Sequence, residues 1–412
     1  MKRAASLLAL GILSLALLMG CAAPYTELPL QTPMPMVTPE PTPEPVLPSD
    51  SSVEIAAYDR GALPLSLKTE SFPGELYEKM LAAASAGEEE LDLSAENADE
   101  AAVKAARDYL LGRGLVVSLS DILYEKGILS FSYDSADAAA LQAGNAAFDE
   151  EAARILSFSV RAGMSKLECA LSLYQSLSQL IELQPPAESS NTPLYAAIVE
   201  KKADFSGLAK AYGFLLDQFG IENLLVQADD GSYVWNIITI DQISYHVDLS
   251  FAASLEKGQT LRYFGMSDEQ ARAILGYGEW SGSDGLSDIK PPICDSARFE
   301  ALAKSTKGDA DFAAHALYFL GYEGLEDVPV RLSLADGEIA SPEMGKTAQF
   351  ACLDGRLYFI AKEDGLLHVY DPEEEWSGPL EGELSATVLL RRGDELLYAQ
   401  EEGGELQKLL IP

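Results

Sequence analysis

The stretch from Ala203 to Ser250 constrains the fold most, because its hydrophobic period switches from helix to strand within a few residues. From Phe205 to Phe219 the apolar residues Leu208, Tyr212, Leu215, Leu216 and Phe219 return at helical spacing, with Ser206 and Gly207 at the start and Gly220 just past the end. The spacing predicts one buried helix with a stop signal. Leu224–Gln227, Tyr233–Ile240 and Ser244–Ser250 follow, each short, each rich in β-branched or aromatic residues, and divided by Asp229-Asp230-Gly231 and Asp241-Gln242. They predict a small antiparallel meander packed on that helix.

Three motifs in this stretch carry a resemblance. Ser206-Gly207-Leu208-Ala209-Lys210-Ala211 opens the helix, Val234-Trp235-Asn236 lies in the second strand, and Val247-Asp248-Leu249-Ser250 ends the third. In this the chain resembles the transglutaminase-like superfamily, the papain-like transglutaminase and protease core. Members carry a nucleophilic Cys in C-S-G-Y-A, a His in H-A-W-N and an Asp in V-D-x-[ST]. The resemblance places the Cys position on Phe205, the His position on Tyr233 and the Asp position on Asp248, the one position retained. Met164–Glu168, with Ser165 and Glu168 at capping-box spacing, resembles the family's lead-in helix, predicted to run to about Ile181. That helix has Cys169 where Lys is usual, and Gln175 or its neighbours where the family has H-D-Y. Pro193 then begins a short helix, Leu194–Lys201, like the family's approach to the nucleophile, so the resemblance spans about 164–251.

Acyl transfer needs a thiolate favoured by a helix N-terminus and an imidazole to shuttle its proton. A phenyl ring is no nucleophile, and a phenol of pKa near ~10 stays protonated at neutral pH. Phe205 and Tyr233 thus imply a pseudoenzyme: the degenerate triad positions are Phe205, Tyr233 and Asp248, with none intact. The competing expectation is a working hydrolase or acyltransferase using Ser206, Cys169 or His246 in an altered arrangement. His246 lies two residues before Asp248, on the same strand face.

The first residues speak to location. Lys2-Arg3 precede an apolar run from Ala4 to Leu18, and Met19-Gly20-Cys21 completes a bacterial lipoprotein cleavage box. The run is too short for a comfortable membrane span. Residues 1–20 are therefore expected to be a signal peptide, cleaved before Cys21, whose sulfur takes diacylglycerol and whose amine takes a further chain such as palmitate. Each buried methylene adds ~0.8 kcal/mol to such an anchor. The expected location is the extracytoplasmic face of the cell membrane. Residues 21–52 form a Pro-rich linker, with T-P-E-P-T-P-E-P at Thr38–Pro45. At ~3.1 Å per residue, an extended stalk from Pro24 to Pro48 reaches roughly 80 Å.

A formal charge of −36 without Lys/Arg clusters argues against nucleic acid as a partner. At 412 residues the chain has room for two or three domains. Cys169, Cys294 and Cys352 remain after Cys21, too few for a disulfide framework. Each is expected to be a small buried residue, and a Cys294–Cys352 pair stays open. No spacing of His, Cys or carboxylates suggests a metal site, and no glycine-rich loop suggests a phosphate-binding cofactor.

The expected class is α+β: a transglutaminase-like core over 146–255, an N-terminal α+β module over 53–145, a mainly helical extension over 256–325 and an all-β hairpin module over 326–412. The first module has helices predicted at Glu75–Ala86 and Ala98–Leu111 and a strand at Gly127–Tyr133. In the extension, helices are predicted over Ser267–Leu275, from Asp295 or Ser296 to Ala303, and over Asp311–Leu320. In the last module Asp336-Gly337, Asp354-Gly355, Asp364-Gly365, Gly393-Asp394 and Gly403-Gly404 mark tight turns. Leu353–Leu367 and Arg392–Leu406 are alike, with Tyr358 and Tyr398 forty residues apart. Two copies cannot close a propeller, so a compact sheet or sandwich is expected. The implied role is binding or scaffolding of peptide, protein or cell-wall material at the surface.

Overall fold

Helix α5, Phe205–Asp217, begins where Asp204 turns its carboxylate back to accept from the Gly207 N–H at 2.9 Å. From Gly207 to Asp217 every residue is buried, Lys210 and Asp217 included, so this helix is enclosed on all sides and forms the centre of the molecule. The structure is a computed structural model describing residues 53–411 except 69–70, 97, 135–136, 186–193, 232, 255–260, 277, 284–288, 308 and 393–394. Cys21, the expected signal peptide and the linker therefore lie outside the described residues. So do the Gly393-Asp394 turn and most of the loop before Leu194. No described helix is long and apolar enough to cross a membrane.

Against α5 lies an antiparallel sheet whose middle strands are β6 (Glu222–Ala228), β7 (Val234–Ile240) and β8 (Ile243–Val247). Their chain-order pairing is the meander predicted from sequence. The edges are β9 (Phe264–Met266) beside β8 and β10 (Trp280–Gly282) beside β6. Helix α4, Lys166–Leu180, starts in the expected capping box, with Ser165 and Glu168 each bonded to the other's backbone N–H. It packs on α5 and on α6, Leu249–Ser254. Two short parallel strands, β4 (Glu182–Leu183) and β5 (Lys202–Ala203), tie the end of α4 to the start of α5.

The N-terminal helices are α1, Gly74–Ala86, and α2, Glu100–Arg113. Both stop at a left-handed glycine, Gly87 and Gly114. Strands β1 (Glu90–Asp92), β2 (Leu119–Glu125) and β3 (Ile128–Tyr133) make a three-stranded antiparallel sheet beside them. Helix α3, Ala138–Ser159, had no counterpart among the expected elements and runs unbroken through 145–146. Its apolar residues Leu141, Phe148, Ala152 and Ile155 are diluted by alanines, which weakens the period. One apolar cluster continues from Val53 through α1–α5 to Leu334.

Beyond Pro292 the structure corrects two expectations. The helix expected up to Ala303 is only a 3-10 turn, Glu300–Lys304. The helix expected over Asp311–Leu320 is two strands, β11 (Ala310–Ala313) and most of β12 (Ala316–Tyr322), so the extension is not mainly helical. Two physical reasons explain this. From Ala316 to Gly321 every residue is buried, because both faces of β12 are covered, and a strand buried on both faces loses its alternation. The connecting turn is Ala314-His315, at φ 46° and 57°, a two-residue hairpin without the usual Asn or Gly.

With that correction the C-terminal part is three consecutive antiparallel meanders rather than one sandwich. The first joins β11, β12, β13 (Leu325–Ser333) and β14 (Ile339–Ala340). The second joins β15 (Thr347–Leu353), β16 (Arg356–Ala361), β17 (Leu367–Asp371) and β18 (Trp376–Pro379). The third joins β19 (Val388–Arg392), β20 (Glu395–Ala399) and β21 (Gln407–Lys408). They stack face to face by strand alternation. Leu317 and Phe319 face the main core, while Tyr318 and Leu320 meet Leu357 and Phe359 of the second meander. Tyr358 and Ile360, pointing the other way, meet Leu396 and Tyr398 of the third. The repeat thus has three copies, at Tyr318, Tyr358 and Tyr398.

Candidate functional site

Phe205 is the first residue of α5, Tyr233 immediately precedes β7, and Asp248 immediately follows β8. Those three places bring the residues together. The Phe205 and Tyr233 rings stack at 4.7 Å between centroids and 29° between planes. The Tyr233 hydroxyl donates to Asp248 Oδ1 at 3.2 Å. Both rings are half-buried, whereas Asp248 is 1 % exposed.

Asp248 has other work. Its Oδ1 also accepts from the backbone N–H of Ser250 at 2.9 Å and from the Ser250 hydroxyl at 2.6 Å. These bonds start α6, so the carboxylate that accepts from the Tyr233 phenol also acts as a helix cap. Phe251 stands 5.8 Å from Tyr233 and stacks in turn on Tyr263 at 5.2 Å. The outcome is an aromatic cleft of about 250 Å³, lined by Leu183, Gln184, Pro185, Phe205, Tyr233, Ser250 and Phe251. Its chemistry is apolar and face-presenting, with the Ser250 and Tyr233 oxygens as polar points.

The other candidate nucleophiles and bases lie elsewhere. Cys169 is fully buried in α4, and burial pushes its thiol far above the ordinary range. Ser206 sits in the first turn of α5 beside Phe205. His246 is fully buried and bonds not to Asp248 but to Trp235 and Asp268: Trp235 Nε1 donates to Nδ1 at 2.9 Å, and Nε2 lies 2.9 Å from Asp268 Oδ1. An indole nitrogen can only donate, so Nδ1 must hold a lone pair and Nε2 must carry the proton. The imidazole is therefore neutral and in one tautomer. Burial lowers its pKa, and Asp268 opposes that only in part.

Cys294 joins this cluster through its backbone N–H, which donates to Asp268 Oδ1 at 3.2 Å. His246, Asp268 and Cys294 place one potential ligand atom each within 4.8 Å of one another. The hydrogen bonding does not suit a metal. Nε2 is protonated for the reason just given, and burial followed by Asp268 raises the Cys294 thiol far above its usual range. The three thiols Cys169, Cys294 and Cys352 are free and buried, which closes the Cys294–Cys352 question in favour of unpaired thiols. Among the described residues, no hydrogen bond joins an imidazole to a thiol or hydroxyl. Nothing in the sequence pointed to the Trp235–His246–Asp268 chain, because its members meet only through strand pairing and the turn after β9.

No family model matches the chain, and no curated protein matches it. Among solved structures the chain is similar to a Cytophaga hutchinsonii protein named as a candidate cysteine protease, at 10% identity and a TM-score of 0.22, over 36% of this chain and 55% of that one. It is also similar to a structure named as a TGase, at 10% identity and a TM-score of 0.24, over 50% of this chain and 62% of that one. The chain thus spans less than two thirds of either neighbour. Similarity of this size carries no argument about chemistry, which rests on the cleft itself.

Proposed function

We propose that residues 164–251 form a degenerate transglutaminase-like core that binds rather than catalyses, within a protein held on the extracytoplasmic face of a bacterial membrane by a lipid on Cys21. One observation carries the reading. At the N-terminus of α5, where the superfamily has its thiol, Phe205 stacks on Tyr233, and Tyr233 is bonded to an Asp248 already committed to capping α6. A phenol in this position cannot act as a base near neutral pH. The ligand class that suits the cleft is an extended peptide, a protein segment or cell-wall material laid across the rings. The export signal and proline-rich stalk support a surface location.

The test is a pull-down of wall fragments and secreted proteins by the mature chain and by Phe205→Ala. Enrichment by the wild type and its loss in the variant is the expected result; equal recovery by both removes the cleft from the mechanism. Labelling of Ser206 or Cys169 by an acylating probe would instead establish the competing enzyme.

A further inference from the structure

A second cavity, sharing no residue with the aromatic cleft, lies where α3 and α4 meet β11 and β19. Its volume is about 140 Å³. A single water needs about 10–15 Å³ on this scale, so the space suits several heavy atoms. Four charged side chains line it from four separate places: Arg161 after α3, Glu168 in α4, Asp311 in β11 and Arg391 in β19.

Both carboxylates are fixed by backbone. Asp311 accepts from the N–H groups of Phe312 and Cys352, each at 2.9 Å, and Glu168 accepts from Ser165 N–H at 2.6 Å. The guanidinium groups stand off from them. Arg161 Nη2 is 3.7 Å from Asp311 Oδ1, and Arg391 Nη1 is 3.7 Å from Asp311 Oδ2. Charge-assisted hydrogen bonds close to about 2.7–2.9 Å, so neither pair is one. Arg391 is anchored separately by donating to the Cys352 carbonyl. Among the described residues, the Arg161 side chain, 21 % exposed, makes only this loose ion pair. Two arginines and two carboxylates around a partly enclosed space are a costly way to fill an interface that apolar side chains could close.

We propose that this cavity binds a small zwitterion, a free amino acid or short peptide, with its carboxylate on Arg161 and Arg391 and its ammonium toward Asp311 and Glu168. A simple anion would gain the guanidiniums but meet both carboxylates. A simple cation would meet the reverse. Only a molecule bearing both charges answers all four groups, and the volume limits its size.

Calorimetric titration of the full chain tests this, with glycine, L-alanine and glycylglycine as probes and with N-acetylglycine, glycine methyl ester, acetate and methylammonium as controls. A zwitterion should bind at least about tenfold more tightly than any control, and Arg161→Gln should weaken it by about tenfold or more. The unliganded melting temperature of that variant should stay within about 2 °C of wild type, because among the described residues the Arg161 side chain makes no hydrogen bond. In the wild-type chain, the bound zwitterion should also protect Arg161 from an arginine-specific dicarbonyl, read by peptide mass. That measurement needs no variant. Acetate binding as tightly as glycine, silence of all probes up to about 10 mM, or unprotected Arg161 at saturating probe each overturns the proposal.

Discussion

At the scale of single residues, His246 shows how one donor settles a protonation state. Because Trp235 donates to Nδ1, protonating His246 in the folded chain means breaking that bond, while the unfolded chain takes up the proton near pH ~6.5. The folded pKa is depressed, so this contribution to stability is complete above about pH 6.5 and declines as pH falls below it. Urea denaturation at stepped pH should show that decline, and His246→Gln should flatten it. The thiols give a second expectation. In the native chain Cys169, Cys294 and Cys352 should resist iodoacetamide, whereas the new thiol of Phe205→Cys, half-buried at a helix N-terminus, should be labelled, with peptide mass assigning the site. Labelling of the buried three at the same rate would contradict the burial described above.

At the scale of elements, Glu151 joins α3 to the approach of α5 by bonding Arg154 at 2.6 and 2.7 Å and pairing with Lys201. Arg154 first, then Lys201, hold its pKa down to about 2. The sign follows from a depressed carboxylate: the stabilisation is present above the unfolded value near 4.5 and is lost as pH falls toward 2. With its partner Arg154 52 % exposed, solvent screening leaves at most about 1 kcal/mol, which Glu151→Gln should remove at pH 7 but not at pH 2. In β9, Gly265 has φ +77°, and a Cβ there would lie 2.6 Å from the Phe299 ring. Gly265→Ala should therefore cost about 2–4 kcal/mol in denaturant midpoint analysis. The helix-then-meander order from α5 to β8 was legible because each element there keeps its own period and ends on a turn residue. Strands β11 and β12 were not legible, since Ala316 to Gly321 is buried on both faces and the turn is Ala314-His315. The missed signal was a comparison of two strings: Leu317-Tyr318-Phe319-Leu320 repeats as Leu357-Tyr358-Phe359-Ile360. In the site, Phe205, Tyr233 and Asp248 could be placed from motif spacing, whereas Asp268 and Cys294 could not, because their meeting with His246 depends on tertiary contact.

At the scale of the whole molecule, the first meander is shared between two cores: Leu317 and Phe319 complete the main one, and Tyr318 and Leu320 open the next. A chain ending at Asp309 should lose near-ultraviolet ellipticity and cooperative melting, because Phe312, Leu317 and Phe319 leave the main core with it. A chain ending at Ser341 should keep the transition but bind a hydrophobic dye strongly, since the face of Tyr318 is left bare. Equal behaviour of the two truncations would show that the meanders are not stacked in this order. Each meander is a sheet of its own, taking no strand from its neighbours. An insertion or deletion of one such unit therefore leaves every remaining ladder in register. The distance between the aromatic cleft and whatever meets the far end becomes a quantity that changes in whole steps, like adding a link to a chain.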